Sequence, residues 1–236
     1  MRTKEEPRYL RALFWLTAAQ AGVTLLAGLN LVVPAMAGRV GGWEFVRWRE
    51  MCSLLLVTPA AAGVMVAAVW VLERGRRDSW GPMLAIGIGV GLVAVSMGVH
   101  EPINAMGKAG GARLGRTLFF WDELFSHAVF FSGFAGVSLA LLWAQARNPL
   151  EEAMGGATSG AFIGCGVVTG AGIFFSLVRA PDIRADLWVM AGVLALAEVM
   201  RWGRAFLRLP LALTLETAYA LALAGLLLRG RFATSV

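Results

Sequence analysis

The chain contains two histidines, His100 and His127, and they flank a single short connection between two apolar runs. The first run ends Gly98-Val-His-Glu-Pro-Ile-Asn104, and the second begins Thr117-Leu-Phe-Phe-Trp-Asp-Glu-Leu-Phe-Ser-His127. If each run crosses a membrane, the two are antiparallel, so the end of one meets the start of the next on the same side. His100, Glu101, Asn104, Asp122, Glu123, Ser126 and His127 then share a depth before any fold is assumed. Spacing adds detail. His100 and Asn104, Asp122 and Ser126, and Glu123 and His127 are each four residues apart, so each pair shares a helix face. Pro102 disfavours helical geometry at Glu101, and a break or kink near His100 is expected. Counted from Thr117, His127 lies about 15 Å along its helix axis.

Ionisable side chains at such depth are costly, so they point to function and call for a named partner. Three chemistries suit this set. Imidazoles with carboxylates bind zinc or a transition metal, with His100, Glu101, Asp122, Glu123 and His127 as candidate ligands. The same groups can relay protons, since histidine titrates near neutrality. Glu123, His127 and Asp122 can also act as acid and base on a lipid or other membrane-soluble substrate. Asn104, Ser126 and Asn30 would support any of these. The bland alternative is that the pairs neutralise themselves, or that the carboxylates pair with Lys108, Arg113 or Arg116. The leading expectation is a membrane-embedded, metal-binding enzyme. Its rival is a non-catalytic protein, either bound to other membrane subunits in a larger complex or acting as a small proton-coupled transporter.

The elements that must position these groups follow from composition. Charged residues make up 15% of the 236 and apolar residues 58%, against roughly 25% charged in soluble domains. Mean hydropathy is +0.69. A spanning helix needs about 20 mostly apolar residues, and the pattern predicts an all-α polytopic bundle forming a single transmembrane domain over residues 1–236. Its spans are expected at 9–37, 51–72, 82–100, 117–146, 157–178, 186–202 and 210–228. That is about seven, with six possible because the last two barely reach across. The first run is too long for a cleaved secretory signal. Gly41 to Glu50, with its tryptophans and arginines, is expected to form a short interfacial helix. Gly160-xxx-Gly164 and Gly166-xxx-Gly170 fit close helix approach in lipid.

The remaining features mostly exclude. The net charge of +6 comes from arginines in short connections beside apolar runs, which suits lipid headgroups as partners and not nucleic acid. The lysines and arginines divide almost evenly between the two sides, and only the basic N-terminus favours that end as cytoplasmic, in a multi-pass cell-membrane protein. Cys52 and Cys165 give no paired spacing. Lysine occurs only at Lys4 and Lys108, which leaves none within a span for a retinal Schiff base. The connection from Lys108 to Arg116 lacks the phosphate-loop pattern. Glu198 with Arg201, and Glu216, lie towards the side away from the histidines.

Two short resemblances attach to the hairpin. Trp121-Asp-Glu-Leu124 resembles a segment of alkaline-ceramidase-type seven-span hydrolases, a family whose last span also carries a His-xxx-His pair; the last span here has no histidine. His100-Glu-Pro-Ile-Asn104, followed by Leu118-Phe-Phe-Trp-Asp-Glu-Leu-Phe125 and His127, is similar to a stretch in the C subunit of copper membrane monooxygenases, with the asparagine and histidine exchanged. Neither resemblance extends beyond this hairpin, and neither assigns a family.

Overall fold

A computed structural model describes residues 6–41, 46–74, 76–106, 112–177, 185–201 and 206–233. Helix α1, Glu6–Val32, stops before Pro34. The residue preceding a proline avoids helical geometry, and Val33 is extended at φ −74° and ψ 120°. The first span is thus shorter than expected from hydropathy, and Pro34–Ala37 form a separate 3₁₀ turn. Within the expected interfacial helix, Gly41, Val46 and Arg47 are not helical, while Trp48–Glu50 begin the next helix. Arg39 and Arg47 pair as an antiparallel bridge, closed by hydrogen bonds from Val40 N–H to Val46 C=O and from Trp48 N–H to Gly38 C=O. Gly41 turns the chain at φ +57°, in the left-handed region open to glycine. Residues 42–45 lie outside the described residues.

Helix α2 runs Trp48–Glu73 and contains a π-helical turn at Ser53–Val57. Helix α3, Trp80–Met106, continues through Pro102, so the expected break near His100 does not form. A proline inside a helix costs one backbone bond, here to the Gly98 carbonyl, and neighbouring helices make that tolerable in a membrane bundle. Helix α4 is built from Ala112–Phe119, a π-helical turn at Phe120–Ser126, and His127–Arg147. Helices α5 (Gly156–Leu177), α6 (Ala185–Arg201) and α7 (Pro210–Ala233) complete the bundle. Among the described residues, six of these seven helices are long and apolar enough to cross a membrane. Of the two marginal spans, α7 qualifies, whereas the apolar part of α6, Leu187–Val199, is shorter. No strand occurs among the described residues.

The distribution of side chains is that of a membrane-spanning helical bundle. Trp15, Leu55, Trp80 and Trp188 are more than 60% exposed, while Asn30, Glu73, Glu101, Ser126 and Gln145 are buried. Three close helix crossings hold it together. On α3 and α4, Gly89 and Gly133 face each other. On α1 and α5, Gly28 meets Gly172. On α5 and α7, Gly166 and Gly170 meet the backbone at Thr214 and Ala218. Of the two expected small-residue pairs on α5, Gly166 and Gly170 therefore make a close approach. Gly160 and Gly164 face open space.

The end of the bundle away from the histidines is fastened by a polar knot. Buried Glu73 accepts from Asn148 Nδ2 at 3.0 Å and lies 3.6 Å from Arg147 Nε. Gln145 donates to the Asn148 carbonyl and accepts from Leu211 N–H at 3.2 Å, satisfying one of the orphan donors that begin α7. At the rim, Arg147 Nη2 sits 2.7 Å from Asp78 Oδ2, and Arg76 Nε 3.4 Å from Oδ1. Some desolvation opposes ionisation, but Arg147, Asp78's own backbone N–H and Arg76 outweigh it and hold the carboxyl below its ordinary 3.8. A group whose folded-state pKa is depressed stabilises above its unfolded value, and that contribution is lost as pH falls through the folded value. Asp78→Asn should therefore lower thermal stability slightly at about pH 6, by an amount that shrinks as pH falls from about 4 towards 2. Melting curves of both proteins across that range check this; a constant difference would contradict the ion-pair origin.

Candidate functional site

The glycine crossing of α3 on α4 brings their histidine ends together. Gly89 and Gly133 leave no room for a Cβ, the nearest backbone atoms being 2.8 Å from where one would stand. Two turns towards the site, Ser96 Oγ donates to the Ser126 carbonyl at 2.7 Å. One turn further, His100 Nδ1 lies 2.7 Å from Asp122 Oδ1 and 3.5 Å from Ser126 Oγ. Ser126 itself donates to the Asp122 backbone carbonyl. The ring of His127 packs beside that of His100, with centroids 5.1 Å apart at 42°. Its Nδ1 faces the Glu123 backbone carbonyl at 2.8 Å and the Glu123 carboxylate at 3.5 Å.

The π-helical turn at Phe120–Ser126 covers the acidic half of this cluster. Such turns widen the helix locally and recur at functional sites. Here it sits where Asp122 and Ser126 meet His100. The second π-helical turn, in α2, begins at Ser53, which accepts from Asn30 Nδ2 at 3.0 Å and faces the Glu101 carboxyl. Asn30 also donates to the Arg49 carbonyl at 2.8 Å, and Glu50 pairs with Arg47 and Arg49.

The expected site thus divides. His100, Asp122, Ser126 and His127 come together. Glu123 stands at the rim, its side chain 44% exposed. Glu101 is buried but turns aside, because consecutive residues on a helix do not face the same way. It belongs instead to a second cluster with Ser53, Asn30 and Glu50. The five expected metal ligands do not converge, and the described residues hold no group of three or more histidine, cysteine or acidic side chains placed to bind a metal ion. Asn104 lies on the last turn of α3, and its side chain is outside the described residues, as is most of the connection from Lys108 to Arg116. Three participants escaped the sequence reading: Ser96, Ser53 and Glu50. Ser96 had a signal, being four residues before His100 on one helix face. Glu50 had one too, three residues after Arg47 at a helix start.

Below the histidines the bundle holds a partly open apolar cavity of about 160 Å³, with walls from α1 to α6. Phe131 joins the two regions: it lines the cavity and its ring lies 6.4 Å from that of His127. Comparison with protein-family profiles, curated proteins and solved structures finds no match to this chain, so what the site does has to be read from its own geometry.

Proposed function

We propose that this membrane-spanning protein is an enzyme in which His100 and His127 perform acid–base chemistry on a membrane-soluble substrate. The observation that carries the reading is how the two Nδ1 atoms are engaged. A backbone carbonyl and a hydroxyl that has given its proton away only accept hydrogen bonds, so Nδ1 of His127 against Glu123 C=O, and Nδ1 of His100 against Ser126 Oγ with the Asp122 carboxylate 2.7 Å away as a charge contact, each bear the proton. Each neutral ring then keeps its lone pair on Nε2. Asp122 fixes the tautomer and orientation of His100 and supports the imidazolium formed when Nε2 takes a proton, as in carboxylate–histidine pairs elsewhere. His127, held by a neutral carbonyl and a half-exposed carboxylate, is the less strongly supported ring and suits proton return.

The same arrangement is what metal-ligating histidines adopt, passing their second N–H to a carboxylate or carbonyl. Two imidazoles alone fall short of the three or four protein ligands of a zinc site, which favours the proton reading over a metal-binding one.

Nitrogen-15 histidine NMR on protein in nanodiscs tests this. Both rings should be Nδ1–H tautomers at high pH and gain a proton on Nε2 as pH falls, and Asp122→Asn should perturb His100 selectively. Rings that stay in one state between about pH 5 and pH 9 would remove the proton chemistry. One equivalent of zinc or copper retained in wild type and lost in His127→Ala would replace it with ligation.

A further inference from the structure

We propose that the histidine pair acts on an amphiphilic lipid that reacts at its polar end, a step that rests on the acid–base reading and takes the substrate class from the depth of the site. The tryptophans mark both faces of the bilayer. Every tryptophan whose side chain is described is at least 40% exposed, and tryptophan concentrates where hydrocarbon meets headgroups. On α2, Trp48 and Trp70 stand 22 residues apart, and on α4 so do Trp121 and Trp143. At about 1.5 Å per residue each pair spans roughly 33 Å, and somewhat less with the tilt of a typical span. That matches a hydrocarbon core about 30 Å thick.

Contacts between helices tie their neighbours to the same two levels. At the far level, the Trp143 ring lies against Gly81, beside Trp80. Arg74 and Arg147 reach over Trp70 and Trp143, at 5.6 and 5.8 Å from the ring centres, as cations at the end of a span do when they hold their charge among headgroups. Trp15, in the first half of α1, belongs to this level, and Trp188, near the start of α6, to the other. At the near level, Asp122 follows Trp121 and lies 2.7 Å from His100. Counting along α3 agrees, since His100 is 20 residues past Trp80, about 30 Å along the axis. His127 is about 9 Å further in than Trp121, but its side chain leans back towards the start of α4. Its ring meets that of His100, 5.1 Å centre to centre.

The pair therefore works where hydrocarbon meets headgroups and not in mid-membrane. The polar linkage of an amphiphile is held at this level, whereas a wholly apolar molecule has no group anchored there. The surface beside the rings favours approach from lipid. On the same stretch of α4, Phe120, Trp121 and Leu124 are exposed, a face suited to acyl chains and not to a water-soluble substrate.

Paramagnetic broadening of the two histidine ring signals, with the full chain in nanodiscs, measures the depth. The probes are a phosphatidylcholine carrying a nitroxide at the fifth acyl carbon and the same lipid carrying it at the sixteenth. The first should remove most of the intensity of both signals and the second less than half. In vesicles made from a mixed glycerolipid extract, species that change only with wild type should differ at the headgroup or the glycerol linkage, with their hydrocarbon tails intact. The change should vanish in His100→Ala. Stronger broadening by the chain-end probe, a change inside a hydrocarbon tail, or no lipid change at all would overturn the proposal. Failure of the acid–base reading shows differently, as rings that do not titrate while the fifth-carbon probe still broadens them.

Discussion

Asp122→Asn is expected to reduce turnover of the site by about 10² to 10⁴ while leaving the bundle folded. The upper figure is the loss seen when the carboxylate behind a catalytic histidine becomes an amide. The lower allows for a site in which part of the rate comes from substrate positioning. Asparagine keeps the shape of aspartate, so the packing around Ser126 and His100 is undisturbed. What changes is the group 2.7 Å from His100 Nδ1. An amide can present its N–H₂ to that nitrogen, which moves the ring proton to Nε2 and removes the lone pair the chemistry needs. It also no longer supports the imidazolium. Glu123→Gln is the internal control: its carboxylate is 3.5 Å from His127 and 44% exposed, so solvent screening limits its worth and the expected loss is within about threefold. The assay compares lipid extracts of vesicles carrying wild type or variant, following whichever species changes only with wild type. An Asp122→Asn protein at wild-type rate would remove Asp122 from the mechanism.

Much of this arrangement was legible in the sequence, for a simple geometric reason. Antiparallel neighbours place the end of one helix and the start of the next at one depth, so two apolar runs joined by a short connection were enough to bring His100 near Asp122 and His127. The helices themselves were legible because lipid admits only backbones that satisfy their own hydrogen bonds. The details that failed are those that hydropathy does not encode. Pro102 was read as a break, yet α3 continues, because a lost backbone bond is affordable where other helices already hold the turn in place. The two π-helical turns left no compositional trace, although they sit where α2 and α4 carry their polar groups. Glu101 was grouped with its neighbour His100, whereas helix rotation sends the two to different clusters. Gly160 and Gly164 had the same spacing as Gly166 and Gly170, and spacing alone does not say which pair faces a neighbour.

That last distinction leads to opposite expected signs for one substitution. A methyl at Gly133 would stand 2.8 Å from the Gly89 carbonyl oxygen and from Val93 N, and 2.9 Å from Leu92 Cβ. Two of those three neighbours are backbone, which cannot turn away as a flexible side chain can, so α3 and α4 must part. Overpacking of this kind costs about 1 to 3 kcal/mol, and Gly133→Val, with two further methyls, should exceed it. The separation also acts at a distance. His100 and Asp122 meet only because these two helices touch, and moving the axes apart by more than about half an ångström takes a 2.7 Å contact past the roughly 3.2 Å limit of good N–H···O distances. Gly133→Ala should therefore lose activity out of proportion to its stability, with the His100 NMR signal shifted towards that of Asp122→Asn. Gly160→Ala meets nothing within 4 Å. There the gain in helix propensity is unopposed, and stability should rise by up to about 1 kcal/mol with activity unchanged. Thermal unfolding of both variants in one lipid checks the pair: equal effects would mean that the α3–α4 crossing does not set the geometry of the site.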